Sequence, residues 1–360
     1  MNKFSIERVD FSILVPALLL VFISLSTFYS IDTTLFRQQL IFLIIALVFY
    51  LIFLNLNFRI FAIYSKQIYF FSLFILLITF IIGIEAKGAV RWIEFLGIRI
   101  QFSEVLKPFF IIFMSAFLSS GETKSLLRFV KTILLISPII FLILKQPDLG
   151  SASVYFVSAI LTVFIYGFPL SYLISLSLLI LIPLPLLYNF LHDYQKDRIL
   201  TFFNSSHDPF GSSYNAIQAL ISIGSGGIFG KGYGQATQSI LRFLPERHTD
   251  FIFATITESL GFIGGGIILF LYVYLLFRIY KIAKSAQDSF SYLVVMGAFF
   301  LFLTQTFFNI GMNLGLLPIV GITLPFMSYG GSSLLTSFIL LGIISSISFE
   351  SRNKILMEIR

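Results

Sequence analysis

Leu40-Ile-Phe-Leu-Ile-Ile-Ala-Leu-Val-Phe-Tyr-Leu-Ile-Phe-Leu54 is fifteen consecutive residues without a charge, inside an apolar stretch that runs over 38–56. The hydrocarbon core of a bilayer is about 30 Å thick and needs about 20 mostly apolar residues in helical form to cross it. The stretch therefore reads as a membrane-spanning helix. Nine more like it stand along the chain, so that the predicted spans are 11–28, 38–56, 67–84, 104–119, 131–146, 151–167, 171–190, 250–277, 290–312 and 331–349. The expected fold is an all-α polytopic membrane protein of about ten transmembrane helices, with a large extracytoplasmic loop, about 191–249, between spans seven and eight. The whole chain, 1–360, reads as one integral membrane domain, because ten spans leave no length for a soluble one.

Composition agrees. Hydrophobic residues make up 58% and charged residues only 11%, against about 25% charged in soluble domains. Disorder needs the opposite balance. The chain has no cysteine, which excludes disulfide scaffolds, zinc–thiolate sites and thiol nucleophiles. The first span has a long apolar core with no small-residue cleavage site after it, unlike a signal peptide.

A net charge of +7 in a soluble protein would point to nucleic acid. Sorted by side, it points to topology instead. With the N-terminus cytoplasmic, the inner loops and tails hold 13 of the 24 cations and 6 of the 17 acids, and everything else sums to zero. That is the positive-inside distribution, and it places both termini in the cytoplasm and no nucleic acid among the partners.

Two segments on the predicted outer side are not polar filler. Residues 84–108 carry the only tryptophan, Trp92, beside Arg91, and run into Glu104 and Lys107, which share one helix face at a spacing of three. Trp92 reads either as a membrane-interface belt residue or as part of a site. Glu104 and Lys107 read either as a self-neutralising structural pair or as functional groups, since an ionisable group costs ~2.5–3.5 kcal/mol at a bilayer centre. In the long loop, the glycines from Gly224 to Gly234 surround Lys231. Such a turn can aim backbone N–H groups at an anion, and it can equally be a linker. It is not a Walker motif.

The loop ends in Leu244-Pro-Glu-Arg-His-Thr-Asp250, which places Arg247 at the outer interface and Asp250 at a helix start. An acid there is favoured by the helix macrodipole and is also a candidate base. Glu258 follows eight residues on, about 12 Å deeper, where a carboxylate faces protein or water. Gln146-Pro-Asp148 reads as a turn between spans. The prolines and glycines of 305–333 predict irregular backbone, tolerated at membrane depth only when buried or lining a cavity. His192, His207 and His248 show no metal-ligand spacing.

Six strings come together in one order: Gly88-Ala-Val-Arg-Trp92, Ser103-Glu-Val-Leu-Lys107, Gln146-Pro-Asp-Leu-Gly150, Gly224-Ser-Gly-Gly-Ile-Phe-Gly-Lys-Gly232, Leu244-Pro-Glu-Arg-His-Thr-Asp-Phe-Ile-Phe-Ala254 and Gly315-Leu-Leu-Pro…Leu324-Pro-Phe-Met-Ser-Tyr-Gly-Gly-Ser-Ser333. In these the chain resembles the SEDS family (shape, elongation, division and sporulation), and more closely its RodA type than its FtsW type. The resemblance implies a peptidoglycan glycosyltransferase of the bacterial cytoplasmic membrane. It would polymerise lipid II into glycan strands on the outer face for cell elongation, beside a class B penicillin-binding protein and other elongation-complex proteins. It implies Asp250 as the essential aspartate, and Trp92, Arg91, Glu104 and Lys107 as site residues. The alternatives are a lipid II flippase, an FtsW-like division paralogue, or a scaffold for the penicillin-binding protein. The chain departs from the family at Phe102, where a proline is usual, which is expected to loosen the helix entry. It departs again at Ser259, where a second acid is usual.

The implied reaction is attack of a sugar 4-hydroxyl on an anomeric carbon with diphosphate leaving. It needs a base and positive charge. Asp250 is the expected base. Lys107, Arg91, Lys231 and Arg247 are the expected diphosphate contacts, with Glu258 beside the substrate. No tightly bound cofactor is expected. A divalent cation (Mg or Mn) is compatible with the chemistry, although no dedicated cage is visible. A groove between spans, shaped by the breaks in 305–333, is expected to take the lipid tail.

Overall fold

The computed structural model describes residues 8–86, 89–95, 98–121, 124–182, 196 and 213–358. Among these, nine helices are long and apolar enough to cross a membrane. They include α1 (Phe11–Ile31), α2 (Thr33–Asn55) and α4 (Ser65–Ile82), with the short α3 (Arg59–Ile63) between the last two. The span Phe102–Ser119 is built from α5 (Phe102–Val105) and α6 (Lys107–Ser119). Then come α7 (Leu126–Lys145) and α8 (Leu149–Tyr166), the shorter apolar helix α9 (Leu170–Leu181), and in the loop α10 (Tyr214–Ser225) and α11 (Thr237–Ile240). The last three spans are α12 (Ile252–Lys284), α13 (Ser289–Asn313) and α14 (Gly331–Glu358).

The expected seventh span, 171–190, is seen only in its first part as α9; 183–190 lie outside the described residues, as do His192, His207 and the loop positions 191–195 and 197–212. Residues 104–119 and 151–167 are both helical over essentially their expected extent.

Acids and a serine start these helices. The side chains of Asp10, Asp32, Ser125, Asp148 and Asp288 accept first-turn N–H groups of α1, α2, α7, α8 and α13. This satisfies donors that have no partner inside the helix. Large apolar side chains such as Phe22, Phe70 and Phe262 remain exposed on the bundle's flanks, where lipid rather than water is the solvent. The interior lies between α13, α14 and α6, the most enclosed of the spans, and α14 packs chiefly along α2.

The fold is mostly helical as expected, with one small sheet added to it. Between α4 and α5 the chain forms β1 (Ile84–Ala86), β2 (Ala89–Phe95) and β3 (Ile98–Ile100), an antiparallel sheet in that order. Short β-branched and aromatic runs separated by Gly88 and Gly97 are strand and turn signals, and they prevail over the apolar bulk of the segment. Glu94 and Arg99 face each other across β2 and β3 and pair at 3.2 Å.

Candidate active site

The pleat of β2 sends neighbouring side chains to opposite faces, so Arg91 and Trp92 part company. Arg91 reaches inward, with Nη1 3.6 Å from Oδ1 of the buried Asp148. Trp92 lies half-buried on the other face and shares no hydrogen bond with this cluster among the described residues. The sequence placed the two side by side; the strand separates them.

Asp148, read from sequence as part of a plain turn, is a hub. Its Oδ1 caps α8 at Ser151 N, and its Oδ2 accepts from Gln101 Nε2 at 2.8 Å and Ser103 Oγ at 3.3 Å. Gln101 N donates to Ser332 Oγ, and Tyr155 Oη to the carbonyl of Ser103. These bonds hold the entry of α5 where the family's usual proline is absent.

Directly below, Lys107 Nζ meets Glu104 Oε1 at 2.5 Å with both side chains buried. Glu104 Oε2 has no hydrogen-bond partner among the described residues, and Thr336 Oγ1 donates to the Glu104 carbonyl. A buried pair of this kind is retained only with good geometry, because each charge pays a desolvation penalty of several kcal/mol.

The second cluster surrounds Asp250. Glu246, at φ +50°, turns the chain, and the amides of Thr249 and Phe251 both donate to its carbonyl. Asn309 and Asn313, one helical turn apart on α13 and wholly buried, each donate Nδ2 to the Asp250 carbonyl at 3.0 Å. Asn313 Oδ1 also accepts the N–H of Ala254, and Asn309 Nδ2 reaches the carbonyl of Ile322. Ser328 Oγ donates to Thr249 O, Tyr329 N to His248 O, and Thr255 Oγ1 to Arg247 O. The backbone carrying Asp250 is thus held from three sides. Its carboxylate faces Gly321, where an added Cβ would stand 3.3 Å from Oδ2.

The two clusters share one wall. Gly150, in the first turn of α8, packs so closely on the 320–322 backbone that a Cβ would lie 2.6 Å from the Val320 carbonyl. The irregular segment of residues 314–330 therefore touches Asp250 on one side and the Asp148-capped helix on the other. It is a wedge packed at its second half, where Leu324, Phe326 and Met327 are fully buried, while Leu314 and Leu316 at its start are exposed.

Glu258 and Lys231, two of the expected contacts, pair with each other away from both clusters. Both oxygens of the buried Glu258 are taken: Oε1 by Lys231 Nζ at 3.2 Å and Gln238 N at 2.9 Å, Oε2 by Ser239 N and Oγ. Glu258 thus anchors α11, and Lys231 neutralises it. The glycine turn spends its donors on α12: Lys231 N and Gly232 N bond the carbonyls of Glu258 and Ser259, while Phe262 N and Ile263 N bond back to Gly227 and Ile228. Gly261, at φ +69°, breaks α12 there and lets the two backbones meet. The amides of Lys231 and Gly232 are thus turned onto the helix. Arg247 is half-buried, and its Nε makes no hydrogen bond among the described residues. Burial, and then the nearby Arg242 charge, lower its pKa, with Asp32 acting the other way.

The apolar helical bundle thus carries an acid on a clamped loop and a buried charged cluster against the same wedge. The chain belongs to the FtsW/RodA/SpoVE family, the SEDS proteins, whose model, described as cell cycle protein, matches residues 8–353. It is 36% identical over 292 residues to the peptidoglycan glycosyltransferase MrdB of Escherichia coli K12, covering 80% of this chain and 79% of that one. It is 36% identical over 327 residues to the probable peptidoglycan glycosyltransferase FtsW of Buchnera aphidicola, covering 88% and 85%. Among solved structures it resembles the rod-shape-determining protein RodA of Thermus thermophilus, with TM-score 0.72, 26% identity and coverage of 94% and 96%. It also resembles a chain from a peptidoglycan synthase complex that coordinates polymerisation and crosslinking, with TM-score 0.82, 28% identity and coverage of 95% and 98%.

Proposed function

We propose that this SEDS glycosyltransferase polymerises lipid II at the end of the bundle that carries Asp250, and that this end faces outward from the bacterial cytoplasmic membrane with both termini in the cytoplasm. The charge distribution supports the orientation. The observation that carries the reaction is the pinning of Asp250: its main chain is fixed by Asn309 and Asn313 while its carboxylate stands at the surface of the wedge. A base held in this way meets a substrate hydroxyl without reorganising.

The acceptor 4-hydroxyl gives its proton to Asp250 as its oxygen bonds the anomeric carbon of the donor. The bond from that carbon to the diphosphate oxygen breaks, with inversion. Diphosphate leaves as a weak base and needs charge stabilisation rather than a strong acid. Arg247, three residues from Asp250, is the nearest in sequence of the proposed cations. Arg91 is committed to Asp148, Lys107 to Glu104 and Lys231 to Glu258; the first two shape the site and the third supports its loop. The described residues bring no three His, Asp or Glu together as a metal site, and no step is routed through a metal.

A class B penicillin-binding protein is the proposed partner, since the similar synthase complex couples polymerisation to crosslinking. Cell elongation is the proposed role; the relatives include both FtsW and MrdB proteins. The test is purified protein with lipid II in detergent, alone and with its transpeptidase, scored for glycan strands. The unmodified chain should polymerise and Asp250→Asn should not, while its melting curve stays unchanged. Strands made by Asp250→Asn would remove the base assignment, and no strands in any arm would remove the polymerase reading.

A further inference from the structure

One feature of the Asp250 end has no part in the chemistry described so far. Between α1 and α2 lies a groove of about 540 Å³, large enough for a bound chain molecule. Its walls are Phe22, Leu25 and Tyr29 of α1 and Phe36 and Leu40 of α2, and Tyr233 from the glycine-rich loop closes it. The lining is almost wholly apolar, and Phe22 and Tyr29 are about two-thirds exposed, so the groove opens sideways into lipid. Tyr233 is seated, its hydroxyl against Ser26 and Thr27 of α1.

The loop that carries this lid is itself apolar on its outer surface. Ile228, Phe229, Leu241 and Phe243 are exposed, Phe229 by 81%, a surface suited to acyl chains rather than to water. The mouth of the groove is polar and positive. Asp32, between α1 and α2, acts electrostatically on Arg242 and on Arg247, and the two arginines act on each other. The buried Nε of Arg247 is a donor without an acceptor among the described residues. Arg242 and Arg247 thus set two cations beside Asp32 at this end of the groove. From this mouth the path to the base is short. Tyr329 lies edge-on to Phe28 of α1 and to His248, and its hydroxyl bonds Gln38 of α2, while its backbone N–H holds the His248 carbonyl two residues before Asp250.

We propose that the α1–α2–Tyr233 groove holds the headgroup-proximal stretch of the substrate's polyprenyl chain, with its diphosphate on Arg247 and Arg242. The assignment rests on the reading of the substrate as a polyprenyl-diphosphate sugar. It commits to the prenyl chain rather than a bulk phospholipid because the groove ends at paired arginines beside the reacting group.

The test uses undecaprenyl diphosphate carrying a diazirine near its diphosphate end, with the full chain in phosphatidylglycerol–phosphatidylethanolamine nanodiscs. Crosslinks are mapped by mass spectrometry. Label is expected on 22–30, 36–40 and Tyr233. An excess of unmodified undecaprenyl diphosphate should remove it and an excess of phosphatidylglycerol should not. Arg247→Ala should weaken that competition about tenfold, or ~1.4 kcal/mol. Leu40→Trp, which fills the groove from a partly exposed position, should raise KM for lipid II about tenfold at unchanged kcat. Label spread evenly over the lipid-facing sides of α4 and α7, equal competition by phospholipid, or an unchanged KM in Leu40→Trp would each overturn the groove assignment while leaving polymerisation intact. Loss of polymerisation by the unmodified protein would instead count against the function itself.

Discussion

Arg91 on β2 and Asp148 at the start of α8 are joined by an ion pair of 3.6 Å that fastens the small sheet to the helical bundle. Asp148 is buried and Arg91 a quarter exposed, so the two halves of the pair are not equivalent. Arg91→Ala should lower polymerisation and, by leaving the buried Asp148 carboxylate without its cation, lower melting as well. Asp148→Ala should also lower stability, by about 0.5–2 kcal/mol for the lost cap, together with the orphaned donors of Gln101 and Ser103. Asp148→Asn keeps an oxygen for Ser151 and should fall between them. Melting curves beside glycan-strand yield separate the three.

Asn309 and Asn313 converge on one carbonyl. Replacing either by Ala leaves buried groups short of partners, which costs about 1–3 kcal/mol, and the two losses should not add, since both act on Asp250. Activity should fall further than folded fraction, through kcat rather than KM. Equal losses in kcat and in folded protein would reduce the asparagines to simple packing.

Glu104 and Lys107 should behave as one unit. Removing one charge strands the other at depth, at a cost of about 3–5 kcal/mol. The double variant Glu104→Gln with Lys107→Met should recover most of that stability and little of the activity. Recovery of both would make the pair purely structural.

At the opposite end of the molecule, Asp10 caps α1 and binds Ser348 and Arg352 of α14. Burial alone would raise its pKa, but the hydrogen bonds of Ser12 and Ser348 and the Arg352 charge outweigh it, and the pKa is lowered. A folded-state pKa below the unfolded value gives stability that is present above the unfolded pKa and is lost as pH falls through the folded one. Asp10→Asn should therefore melt lower than the parent at pH 7, with the gap closing in acid below the usual aspartate range.

The spans were legible because length and hydropathy are local signals, whereas Asp250 was singled out by the family resemblance; the helix after it starts at Ile252 with no side-chain cap. The strands at 84–100 were not legible, since the segment's apolar bulk concealed its period of two; Gly88 and Gly97 were the available clue. Asp148 was missed for a different reason. An acid after a proline between two spans is what any turn offers, and only the fold shows that Gln101, Ser103 and Arg91 converge on it. Glu258 illustrates the reverse: a deep carboxylate signals a partner, but spacing cannot say that Lys231 and the amides of α11 are that partner.

The broken helix at Gly261 has a consequence for how the molecule opens. The turn at 226–232 is laced to α12 by backbone bonds in both directions, so neither can loosen without the other. Segments joined in this way open together. Hydrogen exchange is expected to place the glycine-rich stretch in the same cooperative unit as the helix it touches, with slow amides at Lys231 and Gly232, so that the support beneath Tyr233 moves with the scaffold.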